Sequence, residues 1–126
     1  ELSKYLADIL EPLNKTSPHS VANANEFLQH IKHLSVEPDK SMVSFDVVSL
    51  LTSIPLTTAK RITDELLTGN SSWTNRALLS KSDILDLLDL CLFTEFQFDG
   101  SFYRQSAGTP MGNPLSSFLA DLSCKT

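Results

Sequence analysis

The chain has 126 residues, 41% of them hydrophobic and 20% charged, which is typical of one globular domain or a piece of one. No apolar run approaches the roughly 18 residues that a membrane span needs, and residues 1–10 lack the basic and apolar segments of a signal peptide. The net charge of -5 argues against a surface that coats nucleic acid without specificity. The missing initiator methionine leads us to expect a fragment. Cys91 and Cys124 belong to no motif, which favours free thiols in a reducing, intracellular compartment.

The first third of the chain predicts two helices and a strand. Apolar residues recur at helical spacing over residues 2–13 and 25–34. The second helix is expected to bury four apolar side chains: Phe27, Leu28, Ile31 and Leu34. Residues 41–55 are an apolar run around Asp46, and the β-branched and aromatic residues Val43, Phe45, Val47 and Val48 predict that this run is a strand.

The middle of the chain predicts two more helices separated by a polar loop. Thr57 can cap the first of them, which is expected to stop at Gly69. Residues 70–75 form the polar loop. The second helix begins with the spacing of a capping box, from Ser80 to Asp83, and is expected to bury Ile84, Leu87, Leu88 and Cys91.

At the start of the last third of the chain, the spacing of apolar residues changes from helical to alternating. Residues 95–105 alternate around Asp99-Gly100, which is a strong signal for a two-stranded hairpin. A loop rich in glycine and proline then enters a helix, with Asn113 as its cap and Pro114 at its first position. The whole order of elements predicts an α+β fold.

Asp46 is unusual because an unpaired carboxylate buried in a strand costs several kcal/mol, as an order of magnitude. One interpretation is a structural aspartate at a strand end, capping a turn through Ser49 or Thr52. The other is a ligand for Mg²⁺, which prefers oxygen atoms and usually keeps one or two protein carboxylates. In that case the backbone carbonyl of Val47 could contribute as well. The strand alone favours the structural interpretation.

The segment "GTPMGNPL", residues 108–115, places two glycines and two prolines directly before a helix. Glycines allow a ligand to approach the backbone closely, and helix N-termini bind phosphate. A tight connection between a strand and a helix explains the same pattern equally well. The spacing matches neither a P-loop nor a dinucleotide-binding fingerprint.

The segment around Asp46 and the glycine-rich loop together identify a protein family more specifically than either does alone. "SFDVVSLLTSIPL" (44–56), followed by "FQFDGSFYRQSAGTPMGNPLSSFLADL" (96–122), closely resembles the reverse transcriptase of Penelope-like retroelements. The opening "LSKYLADILEPL" resembles the part of that family just upstream. The resemblance covers essentially the whole chain.

The resemblance implies a partial polymerase palm with flanking helices and one β-hairpin. Residues 1–40 would be a helical segment of fingers and palm, and residues 41–126 the palm with motifs A and B. Asp46 would be the catalytic motif A aspartate that binds both Mg²⁺ (or Mn²⁺) ions, with the Val47 carbonyl as a further ligand. The reaction would be a two-metal nucleotidyl transfer. The partners would be an RNA template, a DNA primer and deoxynucleoside triphosphates, and the location would be the nucleus.

Motif B implies nucleotide contacts from Met111 and Gly112, and methionine at this position is the family's own pattern. Leu51 stands where the family usually has the phenylalanine that excludes a ribose 2′-hydroxyl, which leaves more room below the sugar. Ser117 and Asp121 replace a usual proline and asparagine, and "DLSCKT" does not continue as the family does.

The resemblance also implies that the paired aspartates of motif C, the basic fingers motif, the thumb and the GIY-YIG endonuclease of many members lie outside this chain. One carboxylate cannot hold two Mg²⁺ ions, so we expect this fragment not to polymerise DNA alone. Its origin would be a partial gene model or a decayed copy. The alternative is a domesticated, non-catalytic palm remnant that acts as a binding or scaffold module.

Overall fold

The structure is a computed structural model that describes residues 1–15 and 17–125. This part of the chain contains six α-helices and one two-stranded antiparallel sheet. The predicted α+β class is therefore confirmed, whereas the palm fold stays a prediction. The elements are α1 (Leu2–Leu10), α2 (Ala24–Ile31), α3 (Leu50–Ser53), α4 (Leu56–Gly69), α5 (Lys81–Leu92), β1 (Glu95–Phe98), β2 (Ser101–Arg104) and α6 (Pro114–Lys125). Glu11–Leu13 and Ser72–Asn75 are short 3₁₀ helices.

The described residues divide into two compact units. The larger comprises residues 1–15 and 49–125, and the smaller comprises residues 17–48. The assignment of residues 1–40 and 41–126 to different polymerase segments stays a prediction.

The larger unit holds the hydrophobic core, which is built mainly from α1, α4, α5 and α6. Helical spacing places the apolar residues of each helix on one face, and these faces meet. The side chains that are fully buried include Leu6, Leu10, Leu13, Ile84, Leu88, Leu115 and Leu119. Burial of a leucine of this kind contributes about 1.5–3 kcal/mol relative to exposure.

The loop predicted as polar over residues 70–75 contains one buried residue, Trp73. Its ring is only 8% exposed, and its indole Nε1–H donates to the Leu67 carbonyl oxygen at 3.0 Å. A tryptophan can enter a core when its single donor finds an acceptor, and the end of α4 supplies one. The segment between α4 and α5 is therefore fastened to the core.

Two helix boundaries differ from the predicted ones. Helix α1 ends at Leu10, and the chain continues to Leu13 as a 3₁₀ helix, because Pro12 has no N–H to donate within an α-helix. Helix α4 begins at Leu56 with Pro55 before it, so Thr57 lies inside the helix and is not its cap. Its end at Gly69 is confirmed.

The local signals in the second half of the chain are confirmed. Both hydrogen bonds of the capping box between Ser80 and Asp83 are present at the start of α5. Asp99 and Gly100 have φ of +48° and +76°, the two left-handed conformations of a type I′ turn, and β1 pairs with β2 around them. Each of these signals is complete within a few residues, so it needs no distant partner.

Helix α2 forms where predicted, but the prediction that its apolar face is buried is wrong. Asn23 caps the helix by accepting the backbone N–H of Glu26 at 2.9 Å. No described residue of the smaller unit is buried, and Phe27, Leu28 and Leu34 are 43%, 56% and 65% exposed. Periodicity shows which face of a helix is apolar, and it does not show what covers that face.

The strand predicted over residues 41–55 is also wrong, and Leu50–Ser53 within it form α3 instead. Within the described chain, β1 and β2 pair only with each other, and the segment that contains Asp46 is in no sheet. A strand needs a neighbour for its backbone N–H and C=O groups, and β-propensity alone provides none. Phe45 and Val48 are accordingly 91% and 84% exposed.

The contrast between the units gives a prediction for stability. Leu10→Ala should lower the free energy of unfolding by about 2–5 kcal/mol, because it empties a fully buried position. Leu28→Ala is the matched control in the smaller unit, and it should change that free energy by less than about 0.5 kcal/mol. Urea denaturation followed by circular dichroism measures both. Equal losses would contradict the assignment of the core to the larger unit.

Candidate functional site

The loop over residues 108–114 follows a path that its glycines permit. Gly108 and Gly112 both have φ of +78°, in the left-handed region that residues with a Cβ adopt only at a cost. Asn113 then caps α6, since its Oδ1 accepts the backbone N–H of Leu115 at 2.9 Å. Its Nδ2 donates to the Cys91 carbonyl oxygen at 2.7 Å, near the end of α5. The predicted loop and cap are therefore confirmed.

Gly108 lies directly against the backbone of α3. A Cβ built on Gly108 would come within 2.5 Å of the carbonyl carbon of Thr52, which is too close for any side chain. A Cβ on Gly112 would meet nothing within 4 Å. The first glycine is thus required by packing as well as by its φ, whereas the second is required by φ alone.

Thr109 joins the loop to the same helical turn by two hydrogen bonds. Its backbone N–H donates to the Leu51 carbonyl oxygen at 2.9 Å, and its hydroxyl donates to the same oxygen at 2.6 Å. Thr109 is 0% exposed. A buried hydroxyl without a partner would destabilise the fold by about 1–3 kcal/mol. The bond to the Leu51 carbonyl oxygen removes that cost for Thr109.

Two more side chains hold the loop from its flanks. Gln105 follows the hairpin, and its Nε2 donates to the Ala107 carbonyl oxygen at 2.7 Å. The buried Ser116 hydroxyl, in the first turn of α6, donates to the Pro110 carbonyl oxygen. The loop is therefore fixed on both sides of Thr109.

This arrangement brings two of the predicted nucleotide-binding residues together. Ser49, Leu50, Leu51 and Thr52 line a shallow pocket of about 390 Å³, and the loop contributes Met111 to it. Met111 is 77% exposed, so its side chain is available to a ligand. Gly112, the third predicted residue, is the next residue along and is exposed.

Asp46 and Val47 belong to the smaller unit. Both residues are exposed, and the Val47 backbone N–H donates to Asp46 Oδ1 at 2.9 Å. The premise that Asp46 is buried in a strand, and needs a cation for that reason, is therefore wrong. Its carboxylate is in water, and no described group of three or more His, Cys, Asp or Glu side chains could hold a metal ion.

Charged side chains of the larger unit form ion pairs between and within its helices. Lys60 on α4 and Asp89 on α5 lie 2.5 Å apart, and this hydrogen bond raises the pKa of the Lys60 ammonium. Asp121 on α6 accepts from Lys125 and from Asn14, each at 2.6 Å, and these bonds lower the pKa of the Asp121 carboxyl. Asp121, where the family that the sequence resembles tends to have asparagine, is thus an ionised partner that joins α6 to the segment after α1.

The structure adds residues that the sequence did not single out. Thr109 and Gln105 shape the loop and its contact with α3, yet neither was a candidate, and Thr52 was considered only as a partner in a turn capped by Asp46. The glycines of the loop gave a signal for close backbone approach. The glycine spacing did not indicate that Gly108 would approach the backbone of Thr52 instead of a ligand.

Comparisons of the chain with protein-family models, with curated proteins and with solved structures found no match in any of the three. Among residues 1–15 and 17–125, no helix combines the length and the apolar character needed to cross a membrane.

The two glycines give a second prediction. Gly108→Ala should lower the free energy of unfolding by about 2–4 kcal/mol, because strain at positive φ adds to a collision with the Thr52 backbone. Gly112 has the same φ, but a Cβ there meets no neighbouring atom, so Gly112→Ala should lower the free energy of unfolding by only about 1–2 kcal/mol. Urea unfolding of the two variants measures the difference, and equal losses would argue against the contact.

Proposed function

We propose that this chain is the part of a Penelope-like reverse transcriptase that carries motifs A and B. The reaction is the template-directed transfer of a deoxynucleotide to a DNA primer on an RNA template. One observation carries the proposal beyond the sequence resemblance: Leu51 and Met111, far apart in the chain, line a single exposed pocket. Motifs A and B of a polymerase must both reach the incoming nucleotide, and this pocket supports that requirement.

In this proposal the pocket receives the sugar of the incoming nucleotide. Leu51 forms its apolar wall, and Met111 supplies an exposed thioether that contacts the nucleotide or the template. The loop needs no rearrangement to form this pocket, because Gly108 and Thr109 hold it against α3. A preformed pocket lowers the entropic cost of orienting a substrate.

Asp46 is the proposed ligand for Mg²⁺ or Mn²⁺, together with the Val47 carbonyl. The chemistry of the donors fits a hard cation, since a carboxylate and a carbonyl are oxygen ligands and the carboxylate is exposed. When bound, the two ions would activate the primer 3′-hydroxyl and neutralise charge on the leaving pyrophosphate. Two ions need more carboxylates than Asp46 provides, so the proposal assigns Asp46 only a share of that site.

The catalytic part of the proposal is tested in a chimaera, in which residues 1–122 replace the matching segment of an active Penelope-like reverse transcriptase. Asp46→Asn should lower nucleotide incorporation by more than about a hundredfold, because the amide keeps the shape and loses the charge that binds the cation. Asp39→Asn, which changes another exposed carboxylate of the smaller unit, is the control and should leave incorporation unchanged. Primer extension with Mg²⁺ measures both, and equal extension by the two variants would remove Asp46 from catalysis.

The pocket is tested separately in the same chimaera. Leu51→Phe should increase the preference for deoxynucleotides over ribonucleotides by about tenfold or more, because the ring fills the space beside a 2′-hydroxyl. Leu90→Phe adds the same ring at an exposed position of α5 that does not line this pocket, and it is the control. Competitive incorporation of the two nucleotide types gives the ratio. An unchanged ratio in Leu51→Phe would mean that this pocket does not receive the sugar.

One observation favours the alternative, a non-catalytic binding or scaffold module. The hairpin exposes four aromatic side chains: Phe96, Phe98, Phe102 and Tyr103. The register of the two strands places Phe96, Phe98 and Tyr103 on one face of the hairpin and Phe102 on the other. Phe96 and Tyr103 stack with ring centres 5.4 Å apart, so part of the first face is already ordered. Large exposed apolar patches mark sites of protein interaction. A module of this kind would keep its partner when Asp46 is changed to asparagine.

A further inference from the structure

We infer that Thr109 is a positioning residue that sets the width of the pocket between Leu51 and Met111. It touches no ligand in this role, since it is 0% exposed, and it acts through the two residues that line the pocket. The consequence for nucleotide binding rests on the proposed function. The positioning itself does not.

The first step concerns the backbone carbonyl oxygens of α3, which need hydrogen-bond donors from outside the helix. This helix is a single turn, Leu50–Ser53, so its carbonyl oxygens have few partners within the helix. The Leu51 carbonyl oxygen receives the Ile54 N–H at a long 3.4 Å. The two donors of Thr109, at 2.9 and 2.6 Å, are therefore its main partners. Thr109 thus completes the hydrogen bonding of the turn that presents Leu51.

The second step runs from Thr109 to Met111 along the chain. Pro110 is the residue between them, and its ring fixes φ near −65°. Its carbonyl oxygen accepts the buried Ser116 hydroxyl, so the link is held at both ends. With Thr109 anchored on Leu51 and Pro110 anchored on α6, the backbone of Met111 has little freedom. Loss of the Thr109 hydroxyl should let Met111 move away from Leu51.

The variants separate this role from ordinary stabilisation. Thr109→Val keeps the shape and removes the hydroxyl, while Thr109→Ser keeps the hydroxyl. Thr63→Val is the matched control, because Thr63 is also 0% exposed and its hydroxyl donates to the Ala59 carbonyl oxygen within α4. Both valine variants lose one buried hydrogen bond, and only one of these bonds joins the loop to α3.

The first measurement is amide hydrogen exchange by NMR on the 126-residue chain. Relative to the Leu88 amide in the core, the Thr109 amide should exchange about three- to tenfold faster in Thr109→Val, the range expected for one lost hydrogen bond. In Thr63→Val and in Thr109→Ser, the ratio of the exchange rate at residue 109 to the exchange rate at Leu88 should equal the wild-type ratio. Equal ratios in the two valine variants would overturn the inference.

The second measurement uses the two methionines of the chain, Met42 and Met111, labelled with ¹³C at the methyl group. Deoxyadenosine triphosphate with Mg²⁺ should shift the Met111 signal and leave Met42 as an internal reference. Thr109→Val should need about three- to tenfold more nucleotide for the same shift, and Thr109→Ser should bind as the wild type does.

The two measurements fail in different ways. If the exchange rates respond as expected and no nucleotide shifts Met111 in the wild type, the positioning role of Thr109 stands and the proposed nucleotide site is wrong. If nucleotide binds, and Thr109→Val matches Thr63→Val in amide exchange and the wild type in nucleotide binding, the site stands and the role of Thr109 is overturned.

Discussion

The Leu51 carbonyl oxygen is the atom through which the two candidate segments are joined. It belongs to a helical turn that is too short to provide hydrogen-bond partners for all of its own backbone groups. It accepts hydrogen bonds from the backbone N–H and the hydroxyl of the buried Thr109. The contact of Gly108 with Thr52 follows from that junction, because the chain entering Thr109 must pass against α3. Without these bonds, Leu51 and Met111 would have no reason to share a pocket.

The surrounding elements converge on the same loop. Gln105 reaches it from the end of the hairpin, Ser116 from α6, and the Cys91 carbonyl oxygen receives Asn113 near the end of α5. The helices that supply these contacts are those with buried leucines. The loop therefore draws its rigidity from the core, although Met111 and Gly112 are exposed. This combination of a fixed backbone and an accessible side chain suits a binding site.

Sequence signals that act within a few residues predicted this fold well. The Ser80 capping box, the Asp99-Gly100 turn and the Asn113 cap form as their residues require. Predictions that depend on a distant partner were wrong, as for the strand that contains Asp46 and the buried face of α2. In the site, the loop was predictable from its glycines. The contact of Thr109 with Leu51 was not, because it joins residues 58 positions apart and a threonine gives no sign of its acceptor.

The exposure of Asp46 changes what its proposed role depends on. A buried carboxylate would have needed a cation or a hydrogen-bonding partner on electrostatic grounds alone. An exposed one needs neither, so the metal role now depends on the resemblance of the segment around it. The pocket of Leu51 and Met111 has a separate basis, in the hydrogen bonds and the close packing of the loop on α3. The two halves of the proposal are therefore independent, and a negative result for Asp46 would leave the geometry of the pocket unchanged, because the bonds of Thr109 to Leu51 do not involve Asp46.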